Sequence, residues 1–182
     1  NPSIDPFIGI NFDYSNVVEV KPENKKLLRQ DITQATGVPF DELGNADNPI
    51  ILFIGRLVPQ KGIDIIPQAL RRILNRNPDV QCVVLGPGDR DNFGREISEL
   101  EMLQRDFPGR AAVLVSKRFT VTDNGVVLGN KVYAADLCII PSRFAPCELV
   151  PFYCYSYGTV PIVHRVGGLA DNIQQFDLET GE

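Results

Sequence analysis

The sequence predicts an α/β domain with an open parallel sheet of Rossmann-like type and helices on both faces. Three observations carry this expectation. Five short runs, at 50–54, 80–85, 111–115, 137–140 and 160–163, contain no charged residue and have strand length, as strands buried on both faces do. Stretches with helical periodicity lie between most of them. Polar, Gly- and Pro-bearing loops follow the runs, at the carboxyl ends where open parallel sheets keep their ligand sites. The simplest chain path for five such strands is the order 3-2-1-4-5.

Taken in order, residues 1–20 hold two prolines, a glycine and scattered aromatics without a sustained period, and read as an extended connection. Pro22 then opens PENKKLLRQDITQATG, with Leu27, Leu28, Ile32 and Ala35 on roughly one face and Gly37 as the stop; this predicts a helix of about 14 residues. An acidic loop, 38–48, leads to the first strand, IILFI, and to GRLVPQKG. Residues 63–75 carry Ile65, Ile66, Ala69, Leu70, Ile73 and Leu74 on one stripe, a helix that tolerates Pro67 in its first turn. The strand at 80–85 ends in the glycine turn GPGD, and 95–106 is amphipathic through Ile97, Leu100 and Leu103. Pro108-Gly109 breaks that helix before the strand at 111–115. Residues 116–128 are the least regular, and the signal DNG fits a small hairpin or a long loop. A short helix near 130–135 precedes the strand LCII, which Pro141 stops. The turn SRFAPC, a helix over 148–157, a buried strand at 160–163, the turn HRVGG and a helix start at Leu169 complete the chain.

With 182 residues, one domain with a substantial core is the default. No apolar run approaches the ~20 residues of a membrane span. A net charge of −5 and the lack of a dense Lys/Arg tract argue against a nucleic-acid surface. The four cysteines, Cys82, Cys138, Cys147 and Cys154, form no close Cys-x-x-Cys pair, which disfavours a metal or disulfide framework and fits a reducing compartment. The chain opens without methionine inside a polar loop and stops at FDLETGE, and is expected to be a piece of a longer protein.

Arg56 and Lys61 leave the first strand five residues apart, with Gly55 and Gly62 keeping side chains out of the approach. Two cations beside a helix start suit a pyrophosphate. There is no Walker-type loop, and GPGD lacks the full dinucleotide fingerprint, so NAD binding and ATP hydrolysis are poor readings. Cys147 has no histidine near it in sequence and reads as packed rather than nucleophilic. His164 is the only histidine, which excludes a His-dependent triad or a His-rich metal site within these residues; it is either a surface loop residue or a ligand contact.

Five segments, GRLVPQKGID, VVLGPGD, KVYAADL, PSRFAPCEL and YGTVPIVHRVGGLAD, come in an order that resembles the C-terminal half of the starch and bacterial glycogen synthases. These are retaining glucosyltransferases of the two-domain GT-B class, and the resemblance covers about 50–174, with a looser echo in NKKLLRQ. It implies a connecting segment and first helix at 1–49 and a donor-binding domain at 50–182, truncated at its C-terminal end, with the N-terminal GT-B domain absent. The implied reaction transfers glucose from ADP-glucose or UDP-glucose to the non-reducing end of an α-1,4-glucan with retention, with no metal or bound cofactor. By the same resemblance Arg56 and Lys61 hold the two phosphates and steady the leaving nucleoside diphosphate. Gly55, backbone amides of Cys147, Glu148 and Leu149, the side chain of Tyr153 and the turn Gly167-Gly168-Leu169 meet the donor. The implied partners are the nucleotide sugar, the glucan and the N-terminal domain of the same chain, with no nucleic acid or membrane. The implied compartment is cytoplasm or plastid stroma.

The sequence departs from the family's pattern at four positions. Ala145 stands where the family has a glutamate that grips the transferred sugar, and Glu148 replaces a glycine. Asn172 and His164 stand where a Thr/Ser and an Arg are usual. Glu148 is either a relocated sugar partner or a helix cap, and the preference for acidic groups at helix N-termini favours the cap. Ala145 and Glu148 together carry an alternative reading, a non-catalytic relative that binds a nucleotide sugar or glucan for regulation or scaffolding.

Overall fold

Strands β1 (Ile50–Ile54), β2 (Gln81–Pro87), β3 (Ala111–Ser116), β4 (Leu137–Ile140) and β5 (Val160–Val163) form one sheet in the order β3-β2-β1-β4-β5. Every pairing is parallel. The computed structural model describes residues 1–41, 45–116, 122, 125–177 and 179–180. The DNG signal falls partly on residues 123–124, outside the described residues; Thr122 N–H donates to the Val126 carbonyl at 3.0 Å beside it.

Side chains alternate across the sheet with a period of two, which splits the core into two layers. Ile50, Leu52, Val83 and Leu85 face a cluster shared with α1 (Val17–Thr36), α4 (Val150–Ser156) and α5 (Gly168–Asn172). Ile51, Phe53, Cys82 and Val84 face the other cluster, shared with α2 (Ile66–Arg76) and α3 (Arg90–Asp106).

Several element bounds differ from expectation for identifiable reasons. Helix α1 begins at Val17 and carries Pro22 inside it, not at its start. Proline cannot donate to the carbonyl of Val18, but Val18 is exposed and water can satisfy that group. A mid-helix proline costs about 3 kcal/mol. The fully buried Leu28 and Ile32 each return about 1.5–3 kcal/mol, so packing wins. Residues before α1 belong to the same core: Ile8 and Phe12 are buried, and Tyr157 Oη donates to the Asp5 carboxylate. Helix α3 starts earlier than predicted because Asp89 caps it, accepting the N–H groups of Asp91 and Asn92, each at 3.2 Å.

Strand β5 is the clearest correction. It was expected to be buried, yet Val160 and Ile162 are 59% and 51% exposed. Among the described residues it pairs with β4 alone and forms one sheet edge, and Ile162 borders an apolar groove of about 290 Å³ with Ile65, Ala69 and Ile139. An uncharged run cannot by itself distinguish a central strand from such an edge.

Candidate functional site

In this strand order the chain leaves β1 toward β2 and β3 on one side and toward β4 and β5 on the other. The crevice beyond β1 and β4 is therefore the switch point where open sheets bind ligands. Two loops meet there. The first follows β1: Gly55 is buried and its N–H donates to the Leu85 carbonyl at 3.1 Å. A side chain at Gly86 would place its Cβ 1.8 Å from the Gly55 carbonyl oxygen, so only glycine lets the β1 and β2 exits run this close. Arg56 then points into solvent, and a 3-10 turn, Pro59–Lys61, brings Lys61 back over the strand ends.

The second loop, 141–149, follows β4 and is stapled to the first. Arg143 forms two bonds of 2.7 Å with the Asp64 carboxylate, holding that carboxyl below its usual range. The Arg143 N–H donates to the Gln60 carbonyl at 2.9 Å, and Gln60 Nε2 donates to the Phe144 carbonyl at 3.0 Å. Exposed ion pairs contribute little singly, but this bidentate geometry fixes the register of the two loops.

The staple sets the central contact of the site. Lys61 Nζ lies 2.7 and 2.6 Å from the two carboxylate oxygens of Glu148, and Ser142 Oγ donates to Glu148 Oε2 at 3.0 Å. The Lys61 and Glu148 side chains are 17% and 9% exposed, and Ser142 is buried. His164 Nδ1 is 3.1 Å from the Ser142 carbonyl oxygen, a contact that requires the proton on Nδ1. A pair this enclosed is costly to break from one side, because the remaining charge loses its partner without regaining full hydration.

The third wall comes from the turn after β5. Gly167 adopts φ 48° and ψ −136°, and the Gly168 N–H donates to the Ala145 carbonyl at 2.9 Å. The Gly-Gly pair thus grips the 141–149 loop at the position where the predicted sugar-gripping carboxylate is missing. Ala145 itself is buried in the first cluster.

Of the residues singled out from sequence, Lys61, Glu148 and the Gly167-Gly168 turn come together around the 141–149 loop. Arg56 shares the first loop but has no ion pair among the described residues. The Cys147 side chain is exposed, not packed, because the turn before α4 faces it outward. The N–H groups of Cys147, Glu148 and Leu149 donate to no backbone carbonyl among the described residues. Leu149 is the N-cap of α4 without a side-chain cap bond, so Glu148 is not the cap the local sequence favoured; its carboxylate is held by Lys61 and Ser142. Leu169 buries its side chain in the core, which removes that side chain from contact with a ligand. Tyr153 is half-exposed and stacks on Tyr133 at 5.7 Å between ring centroids, with Tyr157 on Tyr133 at 5.6 Å. Sequence reading did not single out Ser142 or the Arg143–Asp64 staple, although all three residues lie in the segments GRLVPQKGID and PSRFAPCEL; no local pattern pairs residues so far apart in sequence.

All four cysteines are free thiols, and no group of three or more His, Cys, Asp or Glu among the described residues is arranged to hold a metal ion. A cavity of about 450 Å³ lies elsewhere, beyond the amino end of β5, lined in part by Phe12, Tyr14, Val17 and Tyr155.

Residues 48–181 match the family described as "Glycosyl transferases group 1". The chain belongs to that family. Within it, sequence and structure match the GT-B enzymes related to starch and glycogen synthases. The granule-bound starch synthase 1 of Arabidopsis thaliana is 39% identical over 175 residues, covering 96% of this chain and 25% of that protein. The glycogen synthase of Thermosipho africanus is 37% identical over 180 residues, covering 98% and 33%. Among solved structures, the catalytic domain of starch synthase IV from Arabidopsis thaliana, bound to ADP and acarbose, superposes with a TM-score of 0.78 at 31% identity, over 99% of this chain and 33% of that one. The chain thus spans a quarter to a third of the length of these relatives. Among the described residues no helix is long and apolar enough to cross a membrane.

Proposed function

We propose that this chain is the donor side of a glucosyltransferase that moves glucose from ADP-glucose or UDP-glucose to the non-reducing end of an α-1,4-glucan with retention. The observation that carries the reading is Lys61 enclosed at the β1–β4 switch point, in a chain that superposes over 99% of its length on a starch synthase catalytic domain bound to ADP and acarbose. When the bond between the anomeric carbon and the terminal phosphate breaks, negative charge builds on the departing nucleoside diphosphate. The Lys61 ammonium and the Arg56 guanidinium, carried on one loop, stabilise that charge where it develops. Main-chain N–H groups at Cys147, Glu148 and Leu149 and the Gly167-Gly168 turn supply uncharged contacts to the donor, and the half-exposed ring of Tyr153, stacked on Tyr133, adds an apolar one. The acceptor glucan and the remaining walls of the site belong to the N-terminal domain of the full protein.

The test is glucosyl transfer to a soluble glucan by the full-length protein, with ADP-glucose and UDP-glucose as donors. Transfer is expected with at least one donor, and R56A and K61A each weaken nucleoside-diphosphate binding by about ten- to a hundredfold. Unchanged ADP and UDP affinities in both variants would dispose of the phosphate clamp. A second reading, a non-catalytic relative that only binds the nucleotide sugar, is favoured by one observation: the gripping carboxylate is replaced by the buried Ala145. Nucleotide binding without transfer from either donor decides for it.

A further inference from the structure

The Lys61–Glu148 contact has the form of a ligand complex. A cation proposed to hold a phosphate is already bound by two oxygens, at 2.7 and 2.6 Å, and a buried hydroxyl donates to one of them at 3.0 Å. Carboxylate and phosphate oxygens present the same acceptors to a lysine and a serine. The two side chains are 17% and 9% exposed, so solvent screens the pair poorly. Neither local capping nor core packing accounts for it: α4 uses Leu149 as N-cap, and the carboxylate is turned away from the α4 start toward the β1 loop.

We infer that Glu148 is a selectivity residue that competes with the nucleotide for Lys61 and penalises ligands by the charge on their terminal phosphate. The inference rests on the phosphate-clamp reading above. With Glu148 in place the seat around Lys61 is close to neutral. A phosphate entering it must share or displace the carboxylate and meets its negative charge at short range. The terminal phosphate of a free nucleoside diphosphate is a monoester-like group and carries close to two charges near neutral pH. The same phosphate esterified to a sugar carries one. The penalty is therefore larger for the free diphosphate, the product, than for the sugar nucleotide, the substrate. Glu148 lowers affinity for both and shifts their ratio toward the substrate.

The experiment is calorimetric titration of the full-length protein with ADP, UDP and their glucose esters, in the natural sequence, E148Q, K61A and the double variant. Glutamine keeps the shape of the side chain and an oxygen for the Ser142 hydroxyl but removes the charge. E148Q is expected to tighten the better-bound diphosphate by about tenfold and its glucose ester by about threefold, and to lose most of this effect in the K61A background. The inference is overturned if E148Q leaves diphosphate affinity unchanged or weakens it, or if it tightens both ligands equally. K61A separates this from the underlying reading. If K61A weakens binding while E148Q does not strengthen it, only the inference fails; if K61A has no effect in either background, the clamp fails and the inference with it.

Discussion

Gly167 is the residue on which the third wall of the site turns, and three alanine substitutions separate the reasons. At Gly37 the backbone has φ +70° and an added Cβ meets nothing within 4 Å, so G37A carries only left-handed strain, about 1 kcal/mol. At Gly168 the conformation is ordinary for α5, and an added Cβ would lie 3.1 Å from the Pro146 carbonyl oxygen. Gly168 is the first residue of α5, where alanine's advantage over glycine is smaller than in a helix interior, so G168A is expected to cost something but less than G167A. Gly167 combines φ +48° and ψ −136° with a Cβ position 2.6 Å from the Ala145 carbonyl oxygen. Strain of about 1–3 kcal/mol and overlap of similar size predict that G167A costs about 3 kcal/mol or more. Relaxing the overlap pushes Ala145 away and breaks the Gly168 N–H bond to its carbonyl, so ADP and UDP affinities fall together with stability. Urea unfolding of the three variants, compared where their m-values agree, reads the energies, and titration with ADP and UDP reads the site. A G167A cost no larger than that of G37A would refute the claim that the Gly-Gly turn is held against the 141–149 loop.

Two further outcomes follow from other parts of the molecule. Restoring a glutamate and a glycine as A145E with E148G is expected to raise glucosyl transfer in the full-length protein by more than the two single changes combined, since both groups address one ligand; A145E alone crowds a second carboxylate into the turn that holds Glu148, a repulsion that E148G removes, and an additive or negative result in a double-mutant cycle would contradict this. Burial pushes the Cys82 thiol from its ordinary value of 9.0 up to about 12, with Arg110 opposing weakly. A raised folded value means the unfolded chain releases the proton first, so Cys82 makes stability fall as pH rises from about 9 to about 12, by up to ~1.4 kcal/mol per pH unit. C82A is expected to flatten the alkaline part of the stability profile relative to the natural sequence, and parallel profiles across that window would count against it.

The sequence by itself determined the sheet and the loops that carry the site. Uncharged runs separated by helical periods are local signals, and with right-handed crossovers they leave few chain paths, so the order β3-β2-β1-β4-β5 was legible before any contact was known. Motif order likewise sufficed for the family. Tertiary structure decided what is not local. Pro22 sits inside α1 because Leu28 and Ile32 are buried by distant strands and the 3-10 turn at Gly129–Ala134, and of the two edge strands β3 is covered by α3 while β5 leaves Val160 and Ile162 uncovered. Glu148 is the sharpest case. Its neighbours in sequence favour a helix cap, worth about 1 kcal/mol, while its partner Lys61 is 87 residues away and reaches it only through the stapled loops. An enclosed, two-oxygen contact with a full positive charge outweighs interaction with the partial charge at the start of α4, a helix of about two turns, and no window of sequence contains both partners.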